Sequence, residues 1–434
     1  MRNEMKSSGI EWVGNIPSDW EVGRVKYCYD IVLGKMLQPI QERNTDKEMY
    51  YMCSVNVTWD GINLSTLKQM WFSPSEVKIY FLQKGDLLVT EGGDIAIACI
   101  WNNELQECCI QNALHLIRNN GRHLNKFLYY WLYFLKHIGY IDLICNKATI
   151  AHFTKEKFGE SPICVIPLKE QKAIATFLDA QCDKIDSIIN ELEQQIEILK
   201  QYKTSLITKT VTRGLSKNVH MKNSGIDWIG KIPTHWEVKR LRYHCKLKTG
   251  TTPPENEGIT YEKTDYNWYT PGDFSDLLIL DKSEKYINRE TIKTNNISVF
   301  PSNSILLVTI GATVGKIGFS NSKSYSNQQI TAIMPINMEN KYLLYFLISQ
   351  AKSIKENALY TTLPIMNNSY LSNIKICVPS LSEQKNIATF LDCKCKEISD
   401  IITEKQQSID TMKAYKKSLI CEYVTGKKRI KGYS

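Results

Sequence analysis

The chain has 434 residues, enough for two or three domains that each bury a core. Its hydrophobic fraction of 43% is that of a globular protein, and no apolar run reaches the ~18 residues that a transmembrane helix needs. The net charge of +9 favours a polyanionic partner only mildly, and the opening MRNEMKSSGIEW lacks the apolar stretch of a secretory signal, so a cytoplasmic protein is expected.

The first element in chain order is a turn-rich entry, SGIEWVGNIPSDWEVGRVKY at 8–27, written again as SGIDWIGKIPTHWEVKRLRY at 224–243 with twelve of twenty positions identical. Glycines and proline break any long helix there, so the segment reads as an extended entry leading into a strand near Val22–Tyr27. Its paired tryptophans, Trp12 and Trp20 with Trp228 and Trp236, read as packing anchors ahead of base-stacking groups.

Two inserts follow their respective entries, roughly at 28–160 and 244–372, and match each other poorly. Both read as mixed α/β. GDLLVTEGGDIAIACIW at 85–101 gives two short buried strands around a Gly-Gly turn, and SILLVTIGATVGKIGF at 304–319 stands in the same place. Amide-bearing strands come next, QNALHLI at 111–117 and NQQITAI at 327–333, then aromatic helical stretches, KFLYYWLYFL and KYLLYFLIS. The inserts are therefore expected to share a fold while differing in residues.

A long helix closes each half. Its opening EQKAIATFLD at 170–179 recurs as EQKNIATFLD at 383–392, and no Pro or Gly intervenes from Lys169 until Gly214 supplies a stop. Ile185, Leu192, Leu199 and Leu206 recur every seven residues, answered in the second helix by Ile398, Met412 and Leu419, with Lys405 interrupting one position. Ile188, Ile189, Ile196 and Tyr202, and likewise Ile401, Ile402, Ile409 and Tyr415, are read as an adjoining apolar stripe. A helix of roughly 65 Å with one apolar seam needs a partner. The other copy is the first choice, in an antiparallel coil, and pairing between chains is the alternative. The polar link 214–223 joins the halves.

The search for chemistry is mostly negative. The thirteen cysteines are odd in number and irregularly spaced, which suggests reduced structural thiols, and neither they nor the seven histidines show metal-ligand spacing. The methyltransferase tetrapeptides N-P-P-[FY] and D-P-P-Y are absent. GATVGK at 311–316 is one residue short of a phosphate loop and carries Ile317 where Ser or Thr would hold Mg²⁺, so it reads as a strand turn. No catalytic residue is assigned. The polar loops after Gly34 (Lys35, Gln41, Arg43, Asn44, Lys47) and after Leu247 (Thr249, Thr251, Thr252, Lys263, Asn267) carry residue types that contact bases and phosphates, though such loops are common as plain solvated surface.

Taken in order, the two I-G-x-I-P-x-x-W-x-x-x-R entries, GKMLQPIQ with YYMCSVNVTWDGI, KTGTTPPEN with WYTPGDF, and the two EQKxIATFLD openings form a signature. The chain resembles the specificity subunits of type I restriction-modification systems over essentially its full length. The resemblance implies an α/β (α+β) architecture of two target-recognition domains separated by two long helices packed as an antiparallel coiled coil with an internal pseudo-twofold. The expected divisions are 1–166, first recognition domain; 167–213, first spacer helix; 214–378, linker and second recognition domain; and 379–434, second spacer helix and tail. It further implies a bacterial subunit without activity of its own that reads an asymmetric two-part site in double-stranded DNA. Two modification subunits would bring S-adenosylmethionine for adenine methylation, and restriction subunits would use ATP and Mg²⁺; no cofactor is expected on this chain. Docking of the modification subunits is expected at the repeats: Trp12, Pro17, Trp20, Glu170, Gln171 and Phe177, and their counterparts Trp228, Pro233, Trp236, Glu383, Gln384 and Phe390. An enzyme with a cryptic site and a coiled-coil scaffold that binds only proteins are the competing readings.

Overall fold

The computed structural model describes residues 4–118, 121–145, 152–216, 218–263, 265–274, 279–356, 359–360 and 364–431. Residue 217 of the expected linker and residues 432–434 of the expected tail lie outside them. The chain divides into two compact units, Met1–Leu192 with Gln407–Ser434, and Glu193–Gln406. Those divisions fall inside the two long helices, so each unit holds one insert, part of its own helix and part of the other.

In the first unit the entry strand Glu21–Arg24 pairs antiparallel with Pro162–Val165, which leads directly into the helix Leu168–Arg213. The second unit repeats this with Glu237–Arg240 against Lys375–Val378, ahead of the helix Leu381–Val424. Each insert therefore leaves and re-enters the frame at one two-stranded gate.

Within the first insert a sheet runs in the order Ala98–Ile100, Leu87–Thr90, Leu114–Arg118, Asp30–Leu33, all antiparallel. The second insert has Ile317–Ser320, Ser304–Val308, Ile330–Pro335, Cys245–Thr249 in the same order. Leu87–Thr90 and Ser304–Val308 are buried throughout, because helices and loops cover both faces of these strands; continuous apolar runs replace alternation there. A second, smaller sheet follows the same rule. Cys108–Ile110 lies parallel to Lys47–Met52, which pairs antiparallel with Lys68–Phe72. Its counterpart sets Tyr325–Ser326 parallel to Tyr266–Tyr269, followed by Lys285–Ile287 and Ile259–Thr260. The aromatic stretches are helices, Asn125–His137 and Asn340–Glu356, whose buried faces pack on the four-stranded sheets. GATVGK is the turn before the strand Ile317–Ser320, with Val314 N–H donating to the Gly311 carbonyl at 3.1 Å.

The long helices run antiparallel in both units. In the first, the Phe177 and Tyr423 rings lie 4.5 Å apart and Lys416 Nζ bonds both Asp186 carboxylate oxygens at 2.7 Å. In the second, Lys405 Nζ donates to Gln195 Oε1 at 2.6 Å and Lys203 Nζ to Ser399 Oγ at 2.8 Å. As one residue number rises the other falls. Ile185, Ile398 and Leu419 are buried in the seam, while Leu192, Leu199, Leu206 and Met412 are partly covered. The other core position of each heptad is better sealed, at Ile189, Ile196 and Ile409. Lysines at 203, 405 and 416 occupy seam positions, and each finds a polar partner on the opposite helix. Such a pairing is satisfied in one register only. The expected adjoining stripe splits: Ile188, Tyr202, Ile401 and Tyr415 are exposed, because one residue along a helix turns ~100° away from the seam.

All thirteen cysteines are free thiols. Burial pushes the thiols of Cys164, Cys245 and Cys377 up to about 12, which keeps them protonated and unreactive.

One buried imidazole gives the first unit a pH dependence. His115 lies at 0% exposure among Phe153 and Phe158, and its Nε2–H donates to the Phe153 carbonyl at 2.7 Å. Burial holds its pKa down to about 4, against 6.5 when exposed. The unfolded chain therefore binds the extra proton first. Stability of this unit is expected to fall as pH drops from about 6.5 toward 4, by up to ~3 kcal/mol. Urea midpoints measured across that range should show the slope, and His115→Gln should flatten it. In the second unit the equivalent site is Thr331, whose hydroxyl meets those of Thr249 at 3.2 Å and Thr309 at 3.4 Å.

Candidate recognition pole and docking surfaces

Five loops of each insert converge at one pole, and main-chain hydrogen bonds define it. In the first unit Gly34 N–H donates to Leu114 O (2.9 Å), Asn112 N–H to Lys35 O (2.8 Å), Gln111 N–H to Met52 O (3.0 Å), Glu91 N–H to Ala113 O (2.9 Å) and Phe153 N–H to Glu91 O (2.8 Å). In the second, Gly250 N–H reaches Ile330 O (2.9 Å), Thr251 N–H Ser326 O (3.0 Å), Asn327 N–H Tyr269 O (3.4 Å), Thr309 N–H Gln329 O (2.7 Å) and Met366 N–H Thr309 O (2.8 Å). The glycines make this possible. A Cβ on Gly34 would sit 2.3 Å from Gln111 O, and one on Gly250 2.2 Å from Asn327 O, so any side chain there would push the loops apart.

At the first pole Lys35 is not an open surface cation. It is 8% exposed and its ammonium is paired with Glu76, itself fixed by the Ser73 capping box. Gln41, Arg43, Asn44 and Lys47 are exposed. Their loop is set by Asp46, whose Oδ2 accepts from Arg43 N–H at 3.0 Å and Glu42 N–H at 3.3 Å.

At the second pole Thr249, Thr251 and Asn267 serve the domain itself. Thr249 accepts from Asn368 Nδ2 at 3.1 Å, Thr251 donates to Ser298 Oγ at 2.9 Å, and Asn267 bonds Tyr269 Oη at 3.1 Å and Asp281 O at 3.2 Å. Thr252 is half-buried against Gln328, and Lys263 is exposed. Thr252, Tyr261, Thr270, Lys285 and Asn327 line a polar cavity of about 290 Å³ floored by the buried Trp268. Lys285 Nζ lies 5.1 Å above the Tyr261 ring.

The amide run after the short strand of the smaller sheet was not among the candidates. Gln111 and Asn112 in one unit, and Asn327, Gln328 and Gln329 in the other, sit at the centre of each pole. Their recurrence at one place in two otherwise dissimilar inserts was the readable signal.

The repeated docking candidates are largely turned inward. Trp20 and Trp236 are fully buried and donate through Nε1 to Glu170 and Glu383, each at 3.3 Å. Gln171, at 1% exposure, accepts from Leu124 N–H (2.7 Å) and donates to Ile166 O (2.8 Å); Gln384 does the same with Glu339 N–H (2.8 Å) and Pro379 O (2.8 Å). Asp179 and Asp392 close the pattern on Tyr130 at 2.5 Å and Tyr345 at 2.8 Å. These repeats latch each recognition domain onto its helix. Pro17 and Pro233 are buried, Phe177 packs on Tyr423, and Phe390 lies against the second core. Trp12 is covered by Tyr140 at 4.7 Å, whereas Trp228 is 41% exposed beside a cavity of about 320 Å³. Trp228, Ile188, Tyr202, Ile401 and Tyr415 are among the exposed apolar residues of the frame, together with Ile198, Tyr27 and Tyr243.

One frame thus carries two inserts of like fold and different sequence. The model of the type I restriction modification DNA specificity domain matches residues 17–198 and again 233–411, so the chain belongs to that family. It is 24% identical over 426 residues to the type I restriction enzyme MjaVIII specificity subunit of Methanocaldococcus jannaschii, covering 96% of this chain and 94% of that one. Among solved structures, a chain from work on complex assembly and conformational transition of the type I R-M system superposes with a TM-score of 0.74 at 16% identity, over 95% of this chain and 99% of the other. The HsdS subunit from Thermoanaerobacter tengcongensis gives 0.51 at 17% identity, over 95% and 98%. No described helix is long and apolar enough to cross a membrane.

Proposed function

We propose that this chain reads a two-part, asymmetric sequence in double-stranded DNA for a type I restriction-modification complex, one half through each pole. The observation that carries this is the repetition of one pole geometry on two different sets of side chains: a shared frame fixes how each surface is offered, and the differing residues decide what each accepts. Exposed Arg43, Lys47 and Lys263 suit phosphate contact, which sets position, while amides and hydroxyls suit base edges. The antiparallel helices act as the ruler between the half-sites. Two modification subunits dock on the frame, at surfaces that include Trp228 and the Ile188–Tyr202 and Ile401–Tyr415 stripes, and bring S-adenosylmethionine for adenine methylation. Restriction subunits add ATP- and Mg²⁺-dependent cleavage. The chain itself carries no catalytic group in this scheme.

Mapping methylated adenines genome-wide, with and without the gene, tests the reading. A two-part motif with a constant gap should vanish on deletion. Exchanging residues 28–160 for another insert should change one half only. Removing a heptad from 185–206 should alter the gap or abolish assembly while both half-sequences persist. Methylation or cleavage by the purified chain alone would overturn the scheme.

A further inference from the structure

The two poles share a main-chain geometry and a central amide run, but the loop that follows the glycine differs in kind. After Gly34 the first runs Lys-Met-Leu-Gln-Pro-Ile; after Gly250 the second runs Thr-Thr-Pro-Pro-Glu-Asn. Met36 is 74% exposed, Leu37 56% and Ile40 74%, and Val55, three residues beyond the end of the strand Lys47–Met52, is 61% exposed. In the second unit Thr251 and Thr252 occupy the matching turn and the next residue, Pro253, is buried.

Large apolar side chains held out on a loop are unfavourable unless something covers them. This loop holds them in fixed positions. Lys35 anchors one end through its main-chain bonds at the pole and its ion pair with Glu76. Gln38 O accepts from Trp71 N–H at 3.0 Å, Gln38 Nε2 donates to Ile40 O at 3.4 Å, and the Asp46 turn closes the other end. Binding through such a surface orders little that is not already ordered. The flanking charges are mixed, with Arg43 and Lys47 alternating with the exposed Glu42 and Glu48, so the occupant follows from the DNA-reading role above and not from charge. In the major groove of DNA the apolar point is the thymine 5-methyl group.

Resting on the functional reading above, we propose that the first domain recognises thymines of its half-site by apolar contact of Met36, Leu37 and Ile40 with their methyl groups. The second domain reads its half-site by hydrogen bonds from Thr252 and the 327–329 amides. The two halves of the site are thus distinguished by kind of contact as well as by sequence.

The test uses the complete complex with its modification subunits and a duplex carrying the mapped site. Replacing each thymine by deoxyuridine removes only the methyl group. In the half read by the first domain, affinity should fall roughly fourfold for each contacted thymine. In the other half it should change less than twofold. The triple variant Met36→Ala, Leu37→Ala, Ile40→Ala alters exposed side chains only. It should assemble normally, bind the thymine duplex more weakly and lose its sensitivity to deoxyuridine, whereas Thr252→Ala should keep that sensitivity. Equal penalties in both halves, no penalty in either, or a first half-site without thymine overturns the inference while leaving two-part recognition intact. So does a triple variant that fails to assemble with the modification subunits, which would make the patch a protein contact. If the intact complex binds no two-part site, the functional reading fails and this inference falls with it.

Discussion

Replacing Arg429 with alanine is expected to destabilise the first unit by roughly 3–5 kcal/mol, far more than an ordinary surface ion pair would. The guanidinium makes a two-pronged contact with Asp19 (3.1 and 2.9 Å) and donates through Nε and Nη2 to Glu170 Oε1 (3.1 and 2.9 Å). Asp19 is half exposed and can return to water. Glu170 is 2% exposed, and among the described residues the Trp20 indole N–H is the hydrogen bond that would remain on its carboxylate without Arg429. The effect is therefore the stranding of a buried charge, more than the loss of attraction. Glu170→Gln in the Arg429→Ala background should recover a good part of the loss, and truncation after Lys428 should match the alanine variant. Urea unfolding of wild type, Arg429→Ala, Glu170→Gln and the double variant closes the cycle; a loss below about 1 kcal/mol for Arg429→Ala would mean that Glu170 is hydrated.

Trp236→Ala should destabilise the second unit by about 3–5 kcal/mol, while Trp228→Ala, eight residues earlier in the same repeat, should change stability by less than about 1 kcal/mol. Trp236 is fully buried in a cluster with Ile207, Val211 and Tyr342; its ring edge lies 3.2 Å from where a Cβ on Gly214 would stand, and its N–H is held by Glu383. Alanine there leaves a cavity at the joint of entry segment, helix and domain, and also removes a donor from a carboxylate. Trp228 is 41% exposed, and its ring meets that of Phe346 edge-on with centroids 6.1 Å apart. Urea midpoints of the two variants make the comparison. Equal losses would show that exposure at Trp228 does not reflect its packing.

The duplication, the long helices, the stop of the first at Gly214, and the paralogy of the inserts were all legible, because each depends on local spacing or on literal repetition. What did not follow from the sequence was the direction in which repeated residues face. Glu170, Gln171 and Asp179 recur as Glu383, Gln384 and Asp392, and recurrence alone does not separate a latch within each half from a handle offered to a partner. The partners that decide it are remote in sequence: Trp20 lies 150 residues from Glu170, and Arg429 lies 259 away. Lys35 is the same case on a smaller scale, since its burial follows from Glu76, 41 residues on. In the coil the seven-residue repeat was correct, but one leucine series hid the second seam position, where lysines 203 and 416 sit among isoleucines.

The division of the chain also sets an order of completion during synthesis. The unit spanning Glu193–Gln406 is continuous and can close as soon as its last residue leaves the ribosome. The other unit, though begun first, lacks the segment from Gln407 on until after the second unit has been made, including the Lys416, Tyr423 and Arg429 contacts. At about 5–20 residues per second, the segment between Leu192 and Gln407 takes on the order of ten to forty seconds to make. Throughout that interval Phe177, Ile185 and Ile189 lie on a helix still without its antiparallel partner, so the amino-terminal half is the last to be sealed and the one that needs protection on the way.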